Sequence, residues 1–352
     1  MDIDKTIAFL ENSFLRELFV KSDITDISYN GQDIYYVDNF LGRLKSKISI
    51  TKQEAKDFVR QIANLTEKQF SFQNPNLDVS FGKYRFNAVH QSICRKNNEE
   101  CVCFSIRIAS SVLRFESDNS LDQTTKELLS ILVNSGVSIV IGGITGSGKT
   151  ELQKYLISIM KESTRVIVID NILELDQFTP KSELDLNIWQ VDDRREEASI
   201  QNLVRNALRS NPDWLIVAES RGKEMLEVLN SSLTGHPIIT TIHAFDMASM
   251  PIRMTRMVMM SDHNTSFDDI YNDISYHMRF YIYLKRKYLT NGKVKRYISS
   301  IGYLNGKKME EIYGSDGKNK RTYVLSNEAQ KLLDTSNSTR RFIATYLGGK
   351  NE

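Results

Sequence analysis

Residues 143–150, Gly-Ile-Thr-Gly-Ser-Gly-Lys-Thr, constrain this 352-residue chain more than any other stretch. They fit G-x-x-x-x-G-K-[ST], the pattern of a phosphate-binding loop. A chain of this length meets it by accident about once in 100 on average residue usage, so context decides. Val137–Ile141 is a short β-branched apolar run that reads as a buried strand. From Glu151 to Met160 the apolar residues Leu152, Leu156, Ile159 and Met160 fall at helical spacing. Strand, glycine loop and helix are what the chemistry requires: glycines let backbone N–H groups converge on phosphate oxygens, and the helix N-terminus adds partial positive charge. Lys149 is expected to reach the β/γ-phosphates of a nucleoside triphosphate and the Thr150 hydroxyl to hold Mg²⁺.

The alternation around this loop predicts the architecture. Strand-like runs at Val137–Ile141, Val166–Ile169, Leu215–Ala218 and Ile238–Ile242 are separated by helical segments such as Glu196–Arg209, which implies a mostly parallel sheet covered on both faces. Residues 250–285 read as helical and then strand-like, with Met254, Met257, Val258, Met259 and Met260 as core. Beyond 290, short strands at Tyr297–Tyr303 and Thr322–Leu325 are expected. Upstream, Ile3, Ile7, Leu10, Phe14, Leu18 and Phe19 give residues 1–20 one apolar helical face, suited to packing on its own domain; a membrane or partner surface is the alternative. Strands at Ile24–Tyr29 and Ile34–Val37 flank an Asn30-Gly31 turn. A helix is predicted over 51–70, and strands at Leu77–Phe81, Tyr84–Val89 and Cys101–Ile108, with Arg95–Glu100 as a hairpin loop. The polar stretch 109–122 divides a small α+β domain, residues 1–110, from residues 123–352 and supplies a linker at 111–122.

Composition bounds the remaining choices. Lys and Arg total 46 and Asp and Glu 44, a net charge of +2, which does not suit wrapping duplex DNA; no direct sequence-specific nucleic-acid binding is expected. No apolar run approaches the 18 residues or so of a membrane span, and the first residues lack the apolar core of a signal peptide. Cys94, Cys101 and Cys103 are the three cysteines, few and odd in number, as in a reducing, cytosolic compartment. With His90 they make a conceivable metal site; small buried thiols on paired strands are the simpler reading.

Three further segments carry chemistry. Arg165–Leu175 is a strand running into a short acidic loop with Asp170 and Glu174. Arg209–Gly222 holds a second strand, Leu215–Ala218, ending in the carboxylate of Glu219, with Arg221 beyond. Thr234-Gly-His236 and Thr241-Ile-His243-Ala244 end and follow a third segment. Carboxylates and imidazoles at the C-terminal ends of neighbouring parallel strands are expected to gather beside the phosphates.

With these motifs the chain resembles the secretion ATPases of type II and type IV secretion, conjugation, and type IV or Tad pili, over roughly residues 20–305. Gly143–Thr150 matches the family's Walker A loop and Ile169-Asp-Asn-Ile-Leu-Glu174 its acidic box. Leu208-Arg209-Ser-Asn-Pro-Asp213 through Glu219-Ser-Arg221-Gly222 matches its Walker B box, and the two histidine segments its histidine box. Asp23–Ile27, Gly42-Arg43, Gly82–Ala88 with Arg85, and Ser105-Ile-Arg107 match its N-terminal domain. The compact form is similar to the conjugation and type IV secretion branch. Two positions depart: Asp170-Asn171 replaces a Glu-Asp pair, and Ala218 replaces the glycine before the Walker B acid.

The resemblance implies a RecA-like P-loop NTPase domain behind the α+β domain, and ATP hydrolysis with Mg²⁺ by a homohexamer. Gly143, Thr145, Gly146, Ser147, Gly148, Lys149, Thr150 and Glu151 would surround the nucleotide, Thr150 and Glu219 would hold the metal, and Glu174 would activate water. His243 would sense the γ-phosphate, His236 less directly, and Arg85 and Arg107 would approach it from the N-terminal domain. Arg205, Arg209 and Arg221 would make contacts between subunits. The partners implied are membrane-embedded secretion or pilus assembly proteins, and a coupling ATPase where one exists, met peripherally at the cytoplasmic face of the cell membrane. Two rival readings remain at this point: a nucleic-acid translocase or helicase-like motor, and a nucleotide-binding scaffold that does not hydrolyse.

Overall fold

The computed structural model describes residues 2–347 other than 110–112, 114, 116–120, 172–174, 177, 179, 181–182, 193–194, 262–264, 291–292 and 334–335. These residues form two compact units, Met1–Ser110 with Tyr288–Val294, and Ser111–Lys287 with Lys295–Glu352. The described parts of 111–122 include Phe115 and Leu121, both buried in the core of the second unit.

In the first unit the amphipathic start folds as two helices, α1 (Ile3–Glu11) and α2 (Arg16–Phe19), not one. The side chains of Asn12 and Ser13 bond back to the carbonyls of Ala8 and Leu10 and close the first helix. Strands β1 (Ile24–Tyr29), β2 (Ile34–Asp38) and β3 (Gly42–Lys45) follow. Helix α3 (Lys52–Leu65) starts at a Thr51/Glu54 capping box, each side chain accepting from the other residue's backbone N–H. Then come β4 (Asn76–Phe81), β5 (Tyr84–Val89), the short ribbon β6 (Arg95–Lys96) and β7 (Glu99–Glu100), and β8 (Cys103–Ile108). The six long strands make an antiparallel sheet in the order β3-β2-β1-β8-β5-β4. One face carries Ile27, Phe86, Phe104 and Ile106 against Phe58 and Ile62 of α3. The other is polar, the alternation expected of a sheet covered on one side.

The second unit starts with α4 (Gln123–Asn134), capped by Asp122, whose carboxylate accepts from Thr125 N at 2.9 Å. Strand β9 (Ile139–Gly143) enters the glycine loop and α5 (Lys149–Ser158) leaves it. After β10 (Arg165–Asp170) and β11 (Asp185–Gln190) come α6 (Ile200–Leu208), β12 (Trp214–Val217), α7 (Met225–Leu233) and β13 (Ile238–Ile242). Helices α8 (Met250–Met259) and α9 (Phe267–His277) precede β14 (Phe280–Tyr288), β15 (Val294–Asn305), β16 (Lys308–Ser315) and β17 (Lys320–Thr322). The strand expected at 322–325 ends at Thr322. Sheet order is β11-β10-β12-β13-β9-β14-β15-β16-β17, and the first six strands are parallel.

Burial on both faces explains why these strands are continuously apolar. Along β10, Val166 and Val168 point into the core shared with α4 and α5, whereas Ile167 and Ile169 point into the core shared with α6, α7, α8 and α9. Met254 and Met257 belong to the second core, as expected; Met259 and Met260 are exposed, because α8 ends there and turns its last residues outward.

Candidate active site

The glycine loop lies at the C-terminal end of β9, and its glycines are required by shape. A Cβ on Gly143 would stand 2.8 Å from the backbone oxygen of Leu284 on the adjacent β14 and 2.4 Å from Ser147 Oγ. Gly148 has φ +98°, a left-handed conformation that lets the loop turn directly into α5. Ser147 is fully buried, and its Oγ has no hydrogen-bond partner among the described residues. An unpartnered polar atom costs free energy, and here it lies inside a loop of the kind that cradles phosphate. Thr145 and Gly146 are exposed and Thr150 is half-buried in the first turn of α5. Glu151, expected near the nucleotide, pairs at 3.0 Å with the buried Lys154.

Lys149 is nearly buried. Its Nζ donates to Gly143 O at 3.2 Å and stands 3.3 Å from His243 Nδ1. His243 Nε2 in turn lies 3.0 Å from Glu219 Oε1, at ion-pair distance but not aligned as a hydrogen bond. Parallel pairing produces this convergence. Ser220 N donates to Thr241 O at 2.8 Å and Thr241 Oγ1 to Ala218 O at 2.8 Å, so the ends of β12 and β13 stay joined and Glu219 faces His243. Tyr283 Oη donates to Ala244 O at 3.0 Å and also to Phe245 O, anchoring the segment after His243.

The electrostatics are mutual. Burial pushes the Glu219 carboxyl up, but Arg221, whose Nη2 donates to Oε2 at 2.7 Å, outweighs it together with His243 and Lys149. The net pKa lies below the ordinary 4.5. Burial and the Lys149 charge hold the His243 imidazole below its usual 6.5, against the opposite pull of Glu219 and a backbone hydrogen bond to Gly143. At neutral pH the site therefore presents an ammonium, a carboxylate and a neutral imidazole.

The other expected residues divide. Asp170, at the end of β10, is buried, and its Oδ2 accepts from Leu175 N at 3.2 Å. Glu174 lies outside the described residues. His236 precedes β13, at the opposite end of the sheet from the glycine loop, and its Nδ1 meets Thr234 Oγ1 at 3.1 Å. Within one chain it does not join the cluster: six residues of strand separate it from Ile242, about 20 Å at ~3.3 Å each. In the smaller unit Arg85 and Arg107 face each other on β5 and β8. Arg85 binds Asp78 through two nitrogens (3.2 and 2.9 Å), and Arg107 binds Asp26 at 3.3 Å. They form a pair of guanidinium groups on the polar face of the sheet. Arg205 bonds Glu227 at 2.5 Å.

Two cations went unread in the sequence. Arg296 on β15 donates from Nε to Gly146 O at 2.8 Å, and Arg286 on β14 approaches so closely that a Cβ on Gly146 would stand 2.9 Å from its Nη1. With Lys149 they make the loop strongly electropositive, which suits a polyphosphate.

A six-stranded parallel core, a glycine loop turning into a helix, and a lysine, carboxylate and histidine at the strand ends define a P-loop NTPase of α/β fold with a smaller antiparallel unit. The family profile described as "Type II/IV secretion system protein" matches residues 80–278, and the chain belongs to that family of secretion ATPases. An uncharacterized protein of Bacillus anthracis is 27% identical over 314 residues, 85% of this chain and 69% of its own length. The type IV secretion system protein PtlH of Bordetella pertussis is 33% identical over 137 residues, 38% of this chain and 39% of its own. Among solved structures the Legionella pneumophila ATPase DotB has a TM-score of 0.62 at 20% identity, covering 98% of this chain and 89% of that one, a likeness of fold.

Proposed function

We propose that this chain is an ATP-hydrolysing motor of a type IV secretion, conjugation or pilus assembly machine. On this reading it works as a homohexamer against membrane-embedded assembly proteins at the cytoplasmic face of the membrane. The observation that carries the proposal is the contiguous set Lys149–His243–Glu219, at 3.3 and 3.0 Å, beside a loop whose buried Ser147 Oγ has no partner among the described residues.

The residues present fit a Mg²⁺-bound triphosphate. Lys149 and the loop amides neutralise the β/γ-phosphates, with Arg286 and Arg296 adding to the field. Thr150 and Glu219 are the metal-holding groups, Glu219 being ionised across the working pH range. When bound, Mg²⁺ supplies charge neutralisation at the phosphates. Glu174 accepts the proton of the attacking water, as its motif position implies. Asp170 is a poorer base, since one of its oxygens is committed to the Leu175 amide. His243, neutral and touching both Lys149 and Glu219, reports the state of the phosphates to the segment anchored by Tyr283. Residues 123–352 form the ATPase domain in this proposal. Residues 1–110 form the domain that closes with Arg85 and Arg107 toward nucleotide, an assignment made by motif match.

The test is Lys149→Ala in the full chain. The side chain contributes little apolar burial, so the variant is expected to stay folded and to lose nucleotide binding or turnover. A folded Lys149→Ala protein with wild-type turnover overturns the site. Wild-type protein that binds ATP and never hydrolyses it overturns the motor and leaves the scaffold reading. Light scattering that finds only monomer at high concentration with nucleotide overturns the ring.

A further inference from the structure

The smaller unit contains a second cluster that the proposed ATPase does not use. Cys94, Cys101 and Cys103 have their sulfur atoms within 4.8 Å of one another. Cys94 Sγ is 3.6 Å from Cys101 Sγ and 2.7 Å from Cys103 Sγ. The backbone builds this convergence. Arg95 pairs with Glu100 and Lys96 with Glu99 around Asn97-Asn98, both at positive φ (53° and 65°), a two-residue turn of the type that closes tight hairpins. One step further out, Cys101 N donates to Cys94 O at 3.1 Å, so the two cysteines are directly opposite. Cys103 is two residues on in an extended chain and returns to the side of Cys101.

The surroundings are shaped to the cluster. Gly31, in the turn between β1 and β2, has φ +93°, and a Cβ there would stand 2.5 Å from Cys101 Sγ. Tyr29 is buried beside the cluster, and that burial, with Cys101 and Cys103 as lesser contributors, pushes its phenol up. Lys52, ion-paired with Glu99, exerts a cationic pull on Cys101. Cys101 is buried, while Cys94 and Cys103 are half-buried, so one side of the cluster faces outward.

We infer that Cys94, Cys101 and Cys103 form a trithiolate site for a thiophilic d¹⁰ cation, with Zn²⁺ as the ion it would take. Zinc–sulfur bonds of about 2.3 Å in tetrahedral geometry require sulfur–sulfur separations of about 3.8 Å. The separations from Cys94 Sγ, 3.6 and 2.7 Å, both fall short of that value, and reaching it moves Cys94 and Cys103 apart by about 1 Å. Three protein ligands leave the fourth position to water or another small donor on the outward side. His90 is not the fourth ligand: its Nδ1 meets Ser92 Oγ at 2.9 Å and its ring packs edge-on against Phe70, outside the thiol cluster. The metal would tie the β6–β7 hairpin to β8, in the sheet that carries Arg85 and Arg107. Desolvation pushes the Cys101 and Cys103 thiols up, so without metal they carry protons. Loading is balanced by release of thiol protons to solvent as each sulfur becomes a thiolate ligand.

The experiment uses the full chain purified anaerobically under reducing conditions. Elemental analysis is expected to find about one zinc per chain, and Co²⁺ exchange to give the sulfur-to-metal charge-transfer band and the intense visible bands of a tetrahedral thiolate site. Zinc added to apo-protein should release about three protons and raise the melting temperature. Cys94→Ser, Cys101→Ser and Cys103→Ser should each abolish stoichiometric retention, whereas His90→Asn should keep it. The cobalt spectrum of the wild type needs no variant and so stands if a serine variant fails to fold. Apo-protein that shows no charge-transfer band under excess Co²⁺ overturns the site. So does a quantitative Cys94–Cys103 disulfide that forms equally with and without zinc. Loss of metal in a folded His90→Asn variant overturns the three-thiolate assignment.

Discussion

Gly143→Ala tests whether the loop is held in its conformation by a shape that only glycine allows. The new methyl would meet Leu284 O at 2.8 Å and Ser147 Oγ at 2.4 Å. The first contact is backbone of an internal strand, with Leu284 opposite Gly143 in the β14–β9 register. The second is a side chain with no exposed surface into which to rotate. Relief must come from moving the loop or β14, and overpacking of this kind costs about 1–3 kcal/mol. For a unit of this size each kcal/mol lowers the melting temperature by roughly 2–4 °C, so a fall of several degrees is expected. The displaced atoms are Ser147 and the loop amides, so the same distortion should weaken ATP binding roughly 5- to 150-fold at about 1.4 kcal/mol per decade. Gly235→Ala is the control. Its φ is +88° with nothing within 4 Å of the added carbon, so it bears only the strain of a left-handed alanine, about 1–2 kcal/mol, at the end of the sheet away from the loop. Differential scanning fluorimetry and a fluorescent-nucleotide titration on both variants decide the matter. If Gly143→Ala keeps wild-type affinity, or loses no more than Gly235→Ala, the steric argument is wrong.

Glu174→Gln should leave ATP and Mg²⁺ binding nearly intact and cut turnover about 10²-fold or more, as when a positioned base is lost, while Asp170→Asn costs turnover less. The reverse ranking in a coupled-enzyme assay would move the base to Asp170. Glu219→Gln should weaken Mg²⁺-dependent nucleotide binding as well as turnover; isothermal titration with and without the metal separates the two losses. His243 is held below its usual 6.5, so as pH falls through 6.5 the unfolded chain takes up a proton that the native state refuses. Its contribution to stability is therefore full above 6.5 and is lost as pH drops toward the folded value. His243→Gln should flatten denaturant-measured stability against pH in that window, and an unchanged slope would mean the imidazole titrates normally.

Much of the larger unit was legible because its physics is local and periodic. Apolar runs such as Ile139–Ile141 and Val166–Ile169 are buried on both faces, and a strand without a polar face has few other homes. The convergence of Lys149, Glu219 and His243 followed from one topological fact: parallel strands end at the same edge. The same fact, applied with care, removes His236. A residue before β13 and a residue after it lie at opposite edges, so Thr-Gly-His236 and Thr-Ile-His243 could not both reach the loop of one chain. Long-range pairings left no periodic signature. The thiol cluster depends on a hairpin register fixed by Asn97-Asn98 at positive φ, and on a turn at Gly31 more than sixty residues earlier in the chain.

Arg286 and Arg296 expose a different limit. Lys285-Arg286-Lys287 reads in sequence as a solvated basic run at the end of an aromatic strand. Its importance depends on β14 lying parallel and adjacent to β9, with Leu284 opposite Gly143, which places the next residues of β14 level with the glycine loop. Adjacency in the sheet order cannot be read from the strands themselves, since β14 is the sixth strand of this unit in the chain yet pairs with the first. Once that pairing is known, the rule that collects the carboxylate and imidazole also predicts cations at the end of β14. Arg296 then reaches the same loop from β15, the next strand in the sheet, with its Nε on Gly146 O. The electropositive wall is thus a property of strand order, and the glycine loop is where strand order and sequence motif meet.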